Sequence, residues 1–314
     1  MVNKLPKVVV VGSANMDLVV RAPRIPLRGE TILGSDFQMI PGGKGANQAV
    51  AASKLGAAVW FIARLGADPF GSQLKSNLEK EGVETSFCSW SDQTATGVAL
   101  ITVDEGGENV IVVAPGANQL LGLEDIQAAE QVIASAQVVV AQLEIPLETI
   151  HYTASLTQTH HVPFILDPAP AQPLEQSLLS LVDVITPNET EARILTGVEV
   201  SDKETARVAA LRLMEQGVGS VIITLGSKGY FIAHEQTMNL FPAPSVKVID
   251  STAAGDAFTG ALAFSLAHGS SLAQAAQFAN CGAALSVTQM GAQPSMPTRE
   301  EVNHFRKNLA SQVD

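Results

Sequence analysis

Asp256 follows Ala253, Ala254 and Gly255 in the stretch DSTAAGDAFTGALA (250–263), at what reads as a helix start. Ala257, Ala261 and Phe264 form one helical stripe behind it. A carboxylate in a first helical turn has two chemical readings. It can simply complement the positive end of the helix dipole. It can also stand beside an anion site, because the same N–H groups receive a phosphate. The dipole is expected to lower its pKa and keep it ionised. A second stretch, PGGKGANQAVAASKLG (41–56), is Gly-rich and enters an Ala-rich helix. Glycines there let the backbone approach a ligand closely. The stretch does not fit the Gly-x-x-x-x-Gly-Lys-Ser/Thr phosphate loop, and a tight turn before a closely packed helix is the plainer alternative. TLGSKG (224–229) could wrap a nucleotide or merely join a hairpin. NETE (188–191) offers Asn188 as a helix cap, with acids suited to the first turn.

Other chemistries find no support. The six histidines are scattered, with no His-Glu-x-x-His and no defensible Ser-His-Asp order; His160 and His161 read as a cationic helix C-terminus. Cys88 and Cys281 lie far apart, outside any metal or redox spacing, and read as buried free thiols.

The elements that must hold these residues are legible from residue 120 onward. LEDIQAAEQVIASA reads as a helix and QVVVAQLE as a strand. PLETIHYTASLTQ opens with Pro146, suited to a first helical position, and leads to the strand VPFILDP. EQSLLSL, the strand VDVITP and the helix NETEARILTG follow. Ser201 with Glu204 forms a capping-box pattern before TARVAALRLMEQG, and SVIITLG and SVKVI (245–249) read as strands. Such alternation predicts a doubly wound, mostly parallel α/β sheet flanked by helices. Ligands bind beyond the carboxyl ends of such strands, and those ends carry Glu144, Asp167, Asn188, Thr224 and residues 250–256. The first 118 residues differ. VVVVGSANMDLVV (8–20) reads as one long strand, and TGVALITV and NVIVVAP as a hairpin around DEGGE. Apolar residues on both faces of TGVALITV predict a sheet covered on both sides. In the run 15–20, Asn15 and Asp17 share one face and Met16, Leu18 and Val20 the other. This predicts a small β-lid (15–43 and 96–117) on an α/β body (1–14, 44–95 and 118–314). The lid's apolar face is expected to lie outside and make a homodimer.

Taken together, GGKGAN and DSTAAGDAF resemble the two signatures of the ribokinase family of carbohydrate kinases, also called the phosphofructokinase B family. The resemblance runs through VGSANMD, TGVALI, GENVIVVAPGAN, QLE, DPAPA, ITPNETEA, ITLGSKG and GAQPS, nearly the whole chain. Ser251 stands where the family usually has Thr. The resemblance implies ATP-dependent phosphorylation of a sugar, D-ribose to D-ribose 5-phosphate, with deoxyribose, fructose or a nucleoside as alternative acceptors. A catalytically silent sugar-binding protein is the rival from another class. It implies that Asn15, Asp17, Gly43, Lys44, Asn47 and Glu144 hold the sugar. Asn188 and Glu191 would serve the phosphates and Mg²⁺, and Thr224, Gly226, Ser227, Gly229 and Asn280 the nucleotide. Ala253, Ala254, Gly255 and Asp256 would form the anion hole and the catalytic base. Asp250, Thr252, Ser286, Gln289, Gly291 and Ser295 would hold a potassium ion.

The bulk properties agree with a buried, small-molecule site. The 314 residues carry a net charge of −12, are 16% charged and have a mean hydropathy of +0.21. A nucleic-acid partner would want a basic face. No apolar run approaches the roughly 18 residues of a membrane helix, and the run after KLPK is too short for a signal peptide. A cytoplasmic protein is expected, in which the sequon at 188–190 has no role.

Overall fold

The computed structural model describes residues 5–235 and 237–311. Residues 1–4 and 312–314, which the sequence reading assigned to the ends of the α/β body, lie outside the described residues. In chain order the strands are β1 (Lys7–Val11), β2 (Asn15–Arg21), β3 (Asp36–Gly42), β4 (Ala58–Gly66), β5 (Val83–Ser91), β6 (Gly97–Val103) and β7 (Asn109–Ala114). Then come β8 (Val138–Gln142), β9 (Phe164–Asp167), β10 (Val184–Ile185), β11 (Ser220–Thr224), β12 (Tyr230–His234) and β13 (Thr237–Phe241). Nine form one sheet in the order β13-β12-β11-β10-β9-β8-β1-β4-β5. Its strands pair in parallel from β11 through to β5, and β12 and β13 add an antiparallel edge. Helices cover both faces, so central strands are apolar throughout: Val8, Val9, Val10 and Val11 are all buried. One core cluster lies on each side of the sheet.

A separate, lid-like sheet has the order β3-β2-β6-β7. The expected hairpin of β6 and β7 is present, with Leu100 opposite Val112. The run 8–20 is not one strand: residues 12–14 break it, so β1 lies in the large sheet and β2 in the small one. The expected double cover of the small sheet is absent, because Leu100 is 52% exposed and β7 is exposed along its length. Met16 corrects the reading of an outer apolar face. It is fully buried and packs into the body's core with Leu18 and Val98 beside it. The base of that face is covered by the chain's own body, while Phe37, Met39, Leu100, Val110 and Val112 on the same face stay exposed.

Local differences have local causes. Residues 245–249 form no strand. Pro242 and Pro244 have no N–H to give a ladder, and the chain after Phe241 runs free of the sheet, with Val248 59% exposed. The helix expected over 123–136 is two, Leu123–Ala128 and Glu130–Ala134. Pro146 is the N-cap of Leu147–His160, one position before the helix. The cap before Lys203–Glu215 is Asp202, whose carboxylate accepts from Thr205 N at 2.8 Å, in place of Ser201. Both cysteines are buried free thiols. No helix among the described residues is long and apolar enough to cross a membrane.

Candidate active site

The chain runs outward from β1 to β4 and β5, and in the opposite direction from β8 to β11, so strand order reverses between β1 and β8. A crevice forms at such a reversal. There Ser13, just past β1, donates its hydroxyl to Glu144, just past β8. Glu144 Oε2 also accepts from Lys44 N at 3.1 Å, and Ala46 N donates to Ser13 O at 2.9 Å. These bonds satisfy the start of the helix Lys44–Lys54, whose N-cap, Gly43, has no side chain to do so. Gly43 has φ 90, and a Cβ there would lie 2.7 Å from Asn15 N. Only glycine fits that turn.

The helix Lys44–Lys54 packs tightly on the helix Ala254–Ala267. A Cβ on Gly260 would sit 2.5 Å from Ala51 Cβ and 2.8 Å from Gln48 O. Small residues on both helices therefore bring Asn47 and Gln48 onto Asp256. Asn47 Nδ2 donates to Asp256 Oδ2 at 2.9 Å and Gln48 Nε2 to Oδ1 at 3.1 Å. Asp256 is buried within the first turn of its helix. The N-cap, Ala253, is in the left-handed region with φ 58, and no side chain caps the helix. A left-handed non-glycine residue is a strained conformation of the kind that collects at functional sites. A Cβ on Gly255 would meet no protein atom within 4 Å. The uncapped helix start therefore faces open space.

That space is a cavity of about 740 Å³ lined by Lys44, Asn188, Glu191, Thr224, Gly226, Ser227, Gly229, Asn280 and Ala253 through Asp256. The stretches read separately in the sequence thus share one wall. Asn188 is a helix cap as well: its Oδ1 accepts from Glu191 N at 2.9 Å, and Glu191 answers at Asn188 N at 2.8 Å. Residues 226–228 do join β11 to β12, in a single tight turn, while lining the cavity. Asn280 Nδ2 donates to Pro242 O at 2.8 Å. Asn15, Asp17, Gly43, Asn47 and Glu144 do not line this cavity; they gather at its inner end, through the contacts of Lys44 and Asp256. Asn15 Oδ1 is engaged by Asn118 Nδ2 at 2.7 Å, so its own amide protons are what it can offer.

Charge is unbalanced here. Burial pulls Lys44 down, but Asp256, Asp167, Glu144 and Glu191 outweigh it and hold the ammonium above its usual range. Burial, with Glu144 and Asp256 nearby, pushes Asp17 up to about 7. Burial likewise raises Glu191, against the pull of Asn188 N–H and Lys44. Asp256 is also raised, by burial first, with Lys44, Asn47 and Gln48 opposing. This reverses the sequence expectation. The helix dipole supplies a partial charge, and desolvating a whole carboxylate outweighs it.

Asp250, Thr252, Ser286, Gln289, Gly291 and Ser295 lie outside the cavity lining. Asp250 Oδ1 accepts from Thr252 N and Oγ1 at 2.9 and 2.6 Å, and Oδ2 from Gly291 N at 2.8 Å. Val287 O accepts from Asp250 N at 3.2 Å, and Gln289 N donates to Ser286 O at 3.3 Å. Ser286 and Ser295 donate to Ala283 O at 2.9 Å and Ala292 O at 2.8 Å. Ser295 follows on the turn 293–295.

Sequence reasoning gave no site role to Ser13, Gln48, Asn118, Gln142, Asp167 or Gln293. Asp167 was visible only as a polar strand end; it is buried and accepts from Gln48 Nε2 at 2.6 Å. Gln48 carried a signal as well, an uncharged polar residue on the Ala-rich face of a helix.

A doubly wound body, an uncapped helix start beside a buried carboxylate, and a small sheet over polar groups define a small-molecule kinase of the α/β class. The chain belongs to the pfkB family of carbohydrate kinases, whose model matches residues 5–299. It is 44% identical to a ribokinase of Haemophilus influenzae over 94% of this chain and 97% of that one. It is 37% identical to a deoxyribokinase of Salmonella typhi over 95% and 98%. The solved structure of Arabidopsis thaliana ribokinase complexed with ribose and ATP superposes with a TM-score of 0.89 at 34% identity, covering 96% of this chain and 98% of that one.

Proposed function

We propose that the protein transfers the γ-phosphoryl group of ATP to D-ribose, giving D-ribose 5-phosphate and ADP. The observation that carries this is the buried Asp256 carboxylate, held by two amides beside an uncapped helix start on one wall of the cavity. The names of its relatives, ribokinase foremost, support the choice of sugar.

Asp17, Asn15, Gly43, Lys44, Asn47 and Glu144 would direct the sugar hydroxyls. A site built of such donors and acceptors rejects acceptors that leave them unpaired. The 5-hydroxyl would lie between Asp256 and the γ-phosphorus. A bond forms from that oxygen to phosphorus, the bond from phosphorus to the β–γ bridging oxygen breaks, ADP leaves, and the hydroxyl proton passes to Asp256. Burial makes Asp256 a stronger base than an exposed aspartate. The N–H groups of residues 253–256 and Lys44 would stabilise the moving phosphoryl group. Thr224, Gly226, Ser227, Gly229 and Asn280 would hold the nucleotide.

Asn188 and Glu191 would hold Mg²⁺. The surplus of carboxylates around Lys44 favours a cation, and no group of three or more His, Cys, Asp or Glu among the described residues forms a complete cage. Mg²⁺ suits such a site, since it takes one or two carboxylates together with substrate phosphates. When bound it would neutralise phosphate charge. The loops around Asp250 and Gly291 fit a potassium ion, because the Asp250 carboxylate already ties both and leaves carbonyls and the Ser286 and Ser295 oxygens as donors. Potassium there would steady the anion hole, and equal rates in potassium and in a bulky-cation buffer would remove it from the reading. The small sheet, spanning 15–43 and 96–117, would act as the lid. A cytoplasmic homodimer, with neither nucleic acid nor membrane as partner, completes the proposal.

The test is an ADP-release assay across ribose, deoxyribose, fructose and a nucleoside. Ribose is expected to give the highest kcat/KM. A higher value for deoxyribose would move the assignment to that sugar, and no turnover with any acceptor would leave a silent binding protein.

A further inference from the structure

Gln48 joins Asp256 to Asp167. Its Nε2 carries two protons, directed to Asp167 Oδ2 at 2.6 Å and to Asp256 Oδ1 at 3.1 Å. Its Oε1 accepts from Gln142 Nε2 at 2.6 Å. Gln48 and Gln142 are both fully buried. The orientation of both amides follows from the two acids. A half-turn of Gln48 would aim its carbonyl oxygen at two carboxylates. A half-turn of Gln142 would set oxygen against oxygen. The arrangement leaves Gln142 Oε1 buried with no hydrogen-bond partner. An orphaned buried acceptor is unfavourable, because it has given up its bonds to water and gained none. Space for it exists because residue 12 is glycine: a Cβ there would collide with Gln142 Oε1. The molecule thus keeps an unfavourable acceptor at Gln142, and what it gains is one fixed direction for the Gln48 amide.

We infer that Gln48, oriented by Gln142, is a positioning residue that fixes the Asp256 carboxylate for proton acceptance and links it to Asp167 on the nucleotide side of the cavity. Asn47 holds Asp256 Oδ2 while Gln48 holds Oδ1, so the carboxylate cannot rotate and each oxygen keeps one fixed lone-pair direction for a substrate hydroxyl. Gln48 has no exposed surface with which to touch the sugar, and it acts through Asp256. The inference rests on Asp256 being the base. The titratable groups that face this network are Lys44, Glu144, Asp167, Asp17 and Glu191. They are the same in wild type and in the variants below.

The experiment compares wild type with Gln48→Met, Gln142→Met and Asp256→Asn, measuring kcat, both KM values and the pH profile of kcat. Gln48→Met keeps length and apolar bulk and removes every hydrogen bond. Its kcat is expected to fall roughly 10- to 100-fold, the scale of a displaced catalytic group, with both KM values within about twofold. The acid limb of its profile moves to higher pH, because a carboxylate that loses a donor holds its proton more tightly. Gln142→Met removes the donor to Gln48 Oε1, holds that amide less firmly, and gives a smaller change in the same direction. Wild-type kcat with an unmoved acid limb in Gln48→Met overturns the role, as does a large rise in sugar KM at unchanged kcat. Should thermal melting show Gln48→Met unfolded, Gln142→Met decides by the same criteria. Retained activity in Asp256→Asn removes the base itself, and with it this inference. Loss of activity in Asp256→Asn with no change in the glutamine variants removes the positioning role alone.

Discussion

Asp256 and Asp17 show how burial sets the chemistry of single carboxylates. Asp256→Asn keeps the shape and one acceptor oxygen, so it can keep one of the two bonds from Asn47 and Gln48, but it cannot take a proton. Its kcat is expected to fall roughly 10²–10⁴-fold, with ATP affinity nearly unchanged because the N–H donors of residues 253–256 remain. Single-turnover measurements on the folded variant check this, and wild-type turnover would return Asp256 to the role of a helix-start acid. Burial, with Glu144 and Asp256 nearby, pushes Asp17 up to about 7. A raised carboxylate stabilises nothing when ionised: relative to the unfolded chain it opposes folding as pH climbs from the ordinary carboxylate range through about 7. Asp17→Asn should therefore melt higher than wild type at pH 8, with the difference gone by pH 4. The same ionisation strengthens Asp17 as a hydroxyl acceptor. Sugar KM should rise in wild type as pH falls below 7 and stay flatter in Asp17→Asn. A pH-independent KM in wild type would detach Asp17 from the sugar. The positions of Asp17 and Asp256 were legible, from strand alternation and from the start of a helix. Their ionisation was not, since desolvation depends on what the rest of the chain stacks around them.

At the scale of elements, the helix Ala254–Ala267 separates folding from function within one turn and the next. At Gly255 an added side chain meets no protein atom, whereas at Gly260 it meets Ala51 and the backbone of Gln48. Gly255→Val should fold with nearly wild-type melting temperature yet raise ATP KM and lower kcat, by filling the space a phosphate needs. Gly260→Ala should lose roughly 1–3 kcal/mol through overpacking and disturb Asp256 through the displaced helix Lys44–Lys54. Equal melting temperatures for both variants would contradict the packing argument. Much at this scale could be read from sequence. Continuous apolar runs marked β1, β8, β9 and β11, and polar residues at their ends marked the crevice. The failures share a cause: residues 245–249 alternate like a strand, but a strand needs a neighbour with free ladder groups, and Pro242 and Pro244 lead the chain away from β12. The run 8–20 failed for a related reason, as apolar continuity does not say where a chain changes sheets.

For the whole molecule, the small sheet poses the open question, because among the described residues it exposes a broad apolar face. Alternation correctly put Met16, Leu18 and Val20 on one face, but it could not say what covers that face. The body covers Met16. Further along the same face, Leu18 pairs with Met39 and Leu100, Leu100 with Val112, Val20 with Phe37, and Thr102 with Val110. Phe37, Met39, Leu100, Val110 and Val112 are each between 47 and 59% exposed. Apolar side chains gathered in this way are unusual on a monomer and mark an interaction surface. The net charge of −12 gives two copies a mutual repulsion that a contact must overcome, and an uncharged apolar face is where that repulsion is weakest. The proposed homodimer would therefore form through these strands. Light scattering at micromolar concentration should give twice the chain mass for wild type. Leu100→Lys should give the single mass with little change in melting temperature, because that side chain is half in solvent already. Dissociation should also raise sugar KM, since β2 carries both Leu18 on this face and Asp17 on the other, and a loosened sheet holds Asp17 less firmly. A wild-type monomer, or a Leu100→Lys dimer of unchanged mass, would move the interface elsewhere.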